Sequence, residues 1–119
     1  MKAIRVSSHR ALIQQGDTLT WLVRPNTLAD GAAIASSWVV RGGVFKEDGT
    51  AAIAATVFSD TRTYQSNEHI VVSFTRAQTA ALDEGSYRVA IDVYNASVSP
   101  TYSDESIIFL QVGAQLIPA

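Results

Sequence analysis

The chain has 119 residues and a mass of 12.8 kDa, which is the size of one domain, because single cores usually organise roughly 100 to 150 residues. Nine Lys and Arg against eleven Asp and Glu give a formal net charge of -2. This balance argues against the basic surface typical of proteins that bind nucleic acid or an anionic membrane. The chain has no cysteine, which excludes disulfides, thiolate zinc sites, iron–sulfur clusters and cysteine nucleophiles.

The opening residues do not resemble a signal peptide. Arg5 and Arg10 interrupt them, so no apolar stretch of signal-peptide length follows Lys2. The longest runs of large apolar side chains, such as 107–110, are far shorter than the roughly 20 residues of a bilayer span. We therefore expect a protein that is made in the cytosol and stays there, unless it leaves as part of a larger particle.

The first two predicted strands lie in the first part of the chain. Residues 17–24 alternate in character, and one face is apolar, formed by Leu19, Trp21 and Val23. Residues 37–45 form a second extended segment, in which the pair Gly42-Gly43 predicts a bulge or a sharp bend. A hairpin turn at 46–50 follows, because its Asp-Gly pair tolerates the positive φ angles of tight turns.

Four later strands continue the pattern or vary it. Residues 51–59 and 68–75 are apolar at every second position, and both predict strands. The polar segment between them predicts a loop, with one more short strand as the alternative. Alternation is cleanest at 86–95, which predicts another strand. Residues 106–112 are apolar on both sides, so this last strand should be buried from two directions or covered by a neighbour.

One segment predicts a helix instead. Thr75 stands at a cap position, Gln78 follows three residues later, and good helix formers come next. Gly85 then acts as a stop signal, so we expect one short helical turn near residues 76–82. About seven strands, with turns at intervals near ten residues, predict a two-sheet β-sandwich.

The segment 83–89, Asp-Glu-Gly-Ser-Tyr-Arg-Val, resembles the immunoglobulin-type corner D-x-G-x-Y-x-C, with Val89 in place of the second cysteine. The resemblance implies that Tyr87 buries its ring and donates its hydroxyl to backbone a few residues upstream. Val23 would take the place of the first cysteine, and Trp38 follows it after fifteen residues. We therefore expect an all-β, immunoglobulin-like sandwich in which Val23 and Val89 meet beneath Trp38. The alternative is a helix stop followed by an ordinary strand.

A narrower resemblance joins two motifs. Gly16-Asp17-Thr18 opens the first predicted strand, and Thr-Arg-Ala-Gln-Thr-Ala-Ala-Leu at 75–82 leads into Gly85-Ser86-Tyr87. Together they resemble the immunoglobulin-like modules of tailed-bacteriophage and prophage structural proteins, which occur in tail, baseplate and head-fibre proteins. The resemblance covers most of residues 12–112 and brings no catalytic residue. It implies structural roles for Gly16, Gly85 and Tyr87.

The sequence offers little that points to catalysis or to a bound ion. His9 and His69 have no neighbouring ligand pair, and the adjacent carboxylates fall in or beside predicted turns, where Asp is favoured. A weak calcium site at one end of the sandwich is the alternative. No G-x-S-x-G or S-x-x-K motif frames a serine nucleophile. We expect no enzyme, no cofactor and no metal.

Anion and nucleic-acid binding are likewise not indicated. Gly42-Gly43 lacks the following Lys and the helix that a phosphate loop requires. The arginines fall in different predicted elements, so their order gives no continuous basic track.

Two segments have the composition of a contact surface. The loop 95–103 carries Val98 and Tyr102, and the apolar tail 113–119 carries Leu116 and Ile117. We expect a single domain over 1–112, followed by this C-terminal tail. The loop 95–103 and the tail 113–119 can each fold back onto the domain, or each can dock on an adjacent subunit of a symmetric assembly. Low surface charge agrees with docking, since charged residues are depleted at interface cores.

The resemblance and the composition together predict a structural protein of a tailed-phage or prophage virion, in the head decoration, the tail or the baseplate. It would dock on other virion proteins or on copies of itself, with no nucleic acid and no membrane, after synthesis in the bacterial host cytoplasm. The alternative is a free-standing β-sandwich module that binds carbohydrate or a receptor through its end loops. Because Trp21 and Trp38 fall at inward positions, only Tyr64, Tyr94 and Tyr102 remain for a sugar platform.

Overall fold

The computed structural model describes residues 2–25, 28–34, 38–95 and 102–114, with side chains over 11–25, 28–34, 38–95 and 107–114. The chain order of its elements is β1(Lys2–Gln14), β2(Leu19–Val23), β3(Trp38–Lys46), β4(Ala51–Phe58), β5(Thr61–Tyr64), β6(Asn67–Phe74), α1(Arg76–Ala80), β7(Gly85–Asn95) and β8(Tyr102–Gly113). The described residues contain no helix long and apolar enough to cross a membrane.

The strands form two sheets. One has five strands in the order β1-β8-β7-β3-β4, and the other has three in the order β2-β6-β5. β1 runs parallel to β8, and every other paired neighbour is antiparallel. This is an all-β, immunoglobulin-like sandwich, so the predicted fold class is confirmed, with eight described strands where about seven were expected.

Six strands follow the predicted segments, and β5 is the short strand that the sequence offered as the alternative to a loop. The additional strand is β1, which the sequence pattern did not predict. Its alternation is interrupted, and its pairing with β8 shifts register between Val6 and Arg10. β1 also lies at the edge of its sheet. An edge strand with a register shift does not need one regular apolar face, which explains why its pattern is weak.

The Gly42-Gly43 pair lies inside β3 and does not divide it. The register of β3 against β4 shifts between Gly42 and Val44 and again between Val44 and Phe45, which confirms the predicted bulge. A Cβ on Gly43 would lie 3.0 Å from the backbone nitrogen, and also from the Cα, of Ala55. Glycine therefore lets β4 approach β3 closely at the irregular pairing.

The β3–β4 hairpin closes as the Asp-Gly pair predicts. Gly49 has φ +88°, and its amide donates to the Lys46 carbonyl oxygen at 2.9 Å. The Asp48 carboxylate accepts from the Thr50 amide at 2.8 Å, and hydrogen bonds from Thr50 lower the pKa of Asp48. Because this pKa is lowered in the folded state, the stabilisation is present above the ordinary value and is lost as pH falls through the folded value.

The helix α1 begins as predicted and ends earlier. The Thr75 hydroxyl accepts from the Gln78 amide at 3.2 Å, and the Gln78 side chain accepts from the Thr75 amide at 2.8 Å, forming a capping box. The helix ends at Ala80 with Ala81 as its C-cap. Gly85, predicted as the stop signal, instead opens β7 with φ +146°. That part of the prediction is wrong, because an αR residue already closes the helix.

The core lies between the two sheets and is mainly aliphatic. Its buried hydrophobic residues are Leu19, Trp38, Val40, Val44, Ile70, Val72, Phe74, Leu82, Tyr87, Val89, Ile91, Val93, Ile108, Leu110 and Val112. The sheets approach each other closely at Gly42, where a Cβ would lie 3.0 Å from Cγ1 of Val72 and 3.2 Å from Cε2 of Phe58. Val72 belongs to the three-stranded sheet, so its side chain occupies the space that glycine leaves open in the five-stranded one.

Gly43→Ala should lower the free energy of unfolding by about 1–3 kcal/mol, because the new methyl group meets backbone that cannot rotate away. Gly113→Ala is the control, since a Cβ there meets only the Ile13 carbonyl oxygen at 3.7 Å, and it should lose no stability. Urea unfolding of the two variants measures the difference. Equal stability of the two variants would contradict the close approach of β4 at Gly43.

Candidate functional site

The immunoglobulin-type corner is formed by residues at the start of β7. Tyr87 is buried, and its hydroxyl donates to the Asp83 carbonyl oxygen at 2.8 Å, four residues upstream. Val89 is fully buried and pairs with Val44 of β3. The corner therefore ties the α1–β7 connection to the core without any sulfur.

The expected contact of Val23 and Val89 beneath Trp38 is wrong. Trp38 pairs with Asn95, whereas Val89 pairs with Val44, six residues along β3. At about 3.3 Å per residue these two levels of the sheet are roughly 20 Å apart. Val23 is only half-buried at the end of β2. The valine that meets the other sheet at close range is Val72, opposite Gly42.

The two motifs of the narrower resemblance contact each other. The Thr79 hydroxyl donates to the Asp17 carbonyl oxygen at 2.6 Å, and Arg76 donates to the Gly16 carbonyl oxygen at 3.1 Å. The side-chain amide of Gln15 donates to the carbonyl oxygen of Leu82, two residues beyond the end of α1, at 2.7 Å. Thr79 is fully buried, so its hydroxyl has to be satisfied inside the protein. The Gly-Asp-Thr turn and the helix therefore form one hydrogen-bonded unit.

A second unit of this kind fixes the segment that follows β2. The Arg24 guanidinium donates to the carbonyl oxygens of Ala29, Ala32 and Glu68. The Glu68 carboxylate in turn accepts from the Ile34 amide at 2.9 Å. Arg24 therefore has a structural role, since its donors hold backbone of residues 29–32 against β6.

The surface that carries exposed apolar side chains is the outer face of the five-stranded sheet, the side turned away from the three-stranded sheet. Four large hydrophobic residues lie there, with exposed fractions of 79% for Leu12, 62% for Val57, 39% for Phe109 and 37% for Tyr94. Their positions follow from the register, because Val57 pairs with Arg41, Phe109 with Arg88, and Leu12 with Gln111. We call this surface the outer face.

An ion pair divides the apolar residues of the outer face. Arg41 and Asp92 are directly opposite on β3 and β7, and their side chains meet at 2.5 Å. The other carboxylate oxygen of Asp92, Oδ1, is buried without a hydrogen-bond partner. The Arg41 side chain is exposed and the Asp92 side chain is largely buried, so the pair places a charged group at the middle of the outer face.

The outer face contains a concavity of about 350 Å³ near the end of β8. Its exposed large apolar residues are Leu12 and Phe109, and the buried Tyr87 and Leu110 complete its apolar lining. The polar residues of its lining are Glu47, Ser86, Arg88 and Gln111. We call this concavity the groove. The strand β8 was expected to be buried from two directions or covered by a neighbour. Its inner side is buried at Ile108, Leu110 and Val112, but Phe109 on its outer side is partly exposed.

The four predicted interface residues fall largely beyond the described part. Val98, Leu116 and Ile117 lie outside the described residues, and Tyr102 is described only as backbone at the start of β8. Of the predicted sugar-platform residues, Tyr94 lies on β7 of the five-stranded sheet and Tyr64 on β5 of the other sheet. These two aromatic rings therefore do not form one platform.

The described residues contain no group of three or more His, Asp or Glu side chains placed to hold a metal ion. His69 lies with a ring nitrogen 3.0 Å from the Asn67 carbonyl oxygen, and its ring packs edge-on against Tyr64 at 6.0 Å. The side chain of His9 lies outside the described side chains.

Comparisons with known proteins add structural likeness at low sequence identity. The chain is similar to fibronectin(III)-like modules of Clostridium thermocellum CbhA, with 14% identity and a TM-score of 0.41 over 92% of this chain and 93% of that one. It is similar to the PKD domain (329–428) from human KIAA0319, with 12% identity and a TM-score of 0.43 over 99% of this chain and 88% of that one. No family model and no curated protein matches the chain.

Tyr87→Phe should lower the free energy of unfolding by about 1–2 kcal/mol, because it removes a buried hydrogen bond and leaves the Asp83 carbonyl oxygen without that donor. Tyr94→Phe is the matched control, since it deletes a hydroxyl from a partly exposed ring and should change stability by less than about 0.5 kcal/mol. Thermal or urea unfolding gives both values. If Tyr87→Phe unfolds at the wild-type midpoint, the corner does not contribute to stability.

Proposed function

We propose that this protein is a structural component of a tailed-phage or prophage virion, in the head decoration, the tail or the baseplate. It acts by docking on other virion proteins or on copies of itself, and it needs no catalytic group or cofactor. It reaches the virion after synthesis in the bacterial host cytoplasm. We expect neither nucleic acid nor a membrane among the partners of the protein.

The outer face is the observation that carries the docking part of this proposal. Leu12, Val57, Tyr94 and Phe109 remain exposed on one surface of a small domain. Single exposed apolar residues are ordinary, but several on one face are typical of an interaction surface. A sheet face with a central ion pair is suited to protein contact, because it offers apolar area and a polar group that fixes register.

The two motifs of the phage resemblance support the particle part of the proposal. They lie far apart in the sequence but join through hydrogen bonds of Gln15, Arg76 and Thr79. Their joint presence therefore has one structural cause, a helix fastened to the turn before β2. The hydrogen bonds of this unit run from side chains to backbone carbonyl oxygens, which is a structural role, as expected of a module that positions a docking surface.

Particles released by the source bacterium after prophage induction provide the test. Mass spectrometry should detect the chain in purified particles, at a stoichiometry set by the symmetry of the particle. Absence of the chain from purified particles would overturn the virion assignment. Binding on a glycan array together with that absence would favour the carbohydrate-binding alternative.

A paired substitution tests whether the outer face docks. Tagged Val57→Lys should enter particles about tenfold less than wild type, because a charge buried at an interface costs at least about 1.4 kcal/mol. Thr63→Lys is the control, since Thr63 is exposed on β5 of the three-stranded sheet, and it should enter at the wild-type level. Equal incorporation of both variants would show that the outer face does not dock at Val57.

A further inference from the structure

Small residues lie at the middle of the outer face. Ala90 of β7 pairs with Gly43 of β3 on one side and with Ile107 of β8 on the other. Paired residues stand at the same level along neighbouring strands of a sheet. Gly43 has no side chain and Ala90 has only a methyl group, so a second surface can approach β7 and β3 closely at this level.

The charged residues of β7 lie on either side of Ala90. Arg88 lies two residues before it and Asp92 two residues after it, so both side chains leave the same face of the strand as Ala90. The alternate residues between them, Val89 and Ile91, are buried in the core. The outward side of β7 therefore carries a positive charge, a small residue and a negative charge at equal spacing.

Both charges have capacity for a further partner. Arg88 is exposed, and no carboxylate among the described side chains lies within ion-pair distance of it. Asp92 accepts a hydrogen bond from Arg41 at Oδ2, but its Oδ1 is buried and has no hydrogen-bond partner within the described part of the chain. A buried carboxylate oxygen without a donor costs free energy. A guanidinium from another molecule can supply this donor after a small turn of the carboxylate.

We propose that the outer faces of two copies of this chain pack against each other about a two-fold axis that crosses β7 at Ala90, perpendicular to the strands. This axis places Arg88 of one copy opposite Asp92 of the other, and symmetry forms the same ion pair twice. An axis along β7 would instead place Arg88 opposite Arg88. Charge complementarity therefore favours the perpendicular axis.

The geometry of packed sheets allows these ion pairs. Sheets that pack face to face lie about 10 Å apart, with strand directions that differ by about 30°. Arg88 and Asp92 are each two residues, or about 7 Å, from the axis. A crossing of about 30° displaces the facing residues sideways by about 3–4 Å, a distance that an arginine side chain spans.

The outer face is large enough for a stable pair. Five strands spaced about 4.8 Å apart are about 24 Å wide, and residues 86–94 of β7 extend over about 26 Å. Two such faces cover about 1,200 Å² in total, which reaches the lower end of stable protein interfaces. Phe109 pairs with Arg88, and Val57 pairs with Arg41, so these two exposed apolar residues lie within the covered area.

The inference rests on the docking part of the proposed function, since it uses the same outer face, and it names the partner as a second copy of the chain. In such a pair the two three-stranded sheets, β2-β6-β5 in each copy, lie on opposite outer sides. The pair would therefore present two identical surfaces to the other proteins of an assembly.

Sedimentation equilibrium of the full chain tests the pairing. Wild type should show a monomer–dimer equilibrium, and Arg88→Glu should raise its dissociation constant at least about tenfold, because like charges then face each other at both ion pairs. Arg62→Glu is the matched control, since it makes the same change of charge at an exposed position on β5 of the three-stranded sheet. It should dimerise as wild type does. A monomeric wild type, or equal dissociation constants for the two variants, would overturn the proposal.

Cross-linking tests the position of the axis without altering either charge. Ser86 and Tyr94 lie four residues before and after Ala90, so the axis places position 86 of one copy opposite position 94 of the other. Ser86→Cys and Tyr94→Cys, mixed as chains with tags of different length, should form mixed dimers with a short bismaleimide. Each variant alone should cross-link much more slowly, because like positions are then about 26 Å apart. The chain has no native cysteine that would interfere.

The outcomes separate this inference from the virion assignment. Cross-linking of the mixture no faster than of either variant alone would overturn the proposed axis. Both measurements use the purified chain without phage particles. A chain that stays monomeric but is found in purified particles would overturn the pairing and leave the virion assignment intact. A chain that pairs as proposed but is absent from particles would support the pairing and overturn the virion assignment.

Discussion

The packing of the Val72 side chain against Gly42 is the constraint on which the rest of the fold depends. The two sheets have no disulfide to join them, because the chain has no cysteine. They are held by burial of apolar side chains, and a side chain at position 42 would meet both Val72 and Phe58. Fully buried valines surround this point on both sheets, at positions 40, 44, 72 and 89. A small residue in one sheet facing a branched one in the other lets the sheets approach and fixes how they stack.

The sequence was sufficient to predict the class of fold, the central strands, the hairpin turn and the start of the helix. These features depend on local chemistry, such as the alternation in β7, the Asp-Gly pair at 48–49 and the capping box of Thr75 and Gln78. The parts that could not be predicted depend on contacts between distant segments. The parallel pairing of β1 with β8 has no local signal, and the place of Trp38 follows from a register with Asn95 that spacing alone does not give.

The sequence predicted the apolar composition of the candidate site but not its location in the fold. The apolar character of both sides of β8 was visible in the sequence, but only the strand order shows that the outer side faces away from the core. The same strand order puts Leu12 beside Phe109, although the two residues are nearly a hundred positions apart. The docking hypothesis therefore acquires a definite surface from the fold. The hydrogen bonds of Thr79 and Arg76 to the Gly16-Asp17 backbone give the Gly-Asp-Thr turn and the helix segment a shared structural role.

The central claim is that the sheets are registered by the fit of Val72 over Gly42, and a double-mutant cycle of Gly42→Ala with Val72→Ala tests it most directly. Gly42→Ala alone should lower the free energy of unfolding by about 1–2 kcal/mol, because the new methyl group lies 3.0 Å from Val72 Cγ1. In the Val72→Ala background the same substitution should cost at least about 1 kcal/mol less, since the methyl group then enters vacated space. If the two substitutions are additive within about 0.5 kcal/mol, the side chains at positions 42 and 72 do not compete for one space, and the account is wrong.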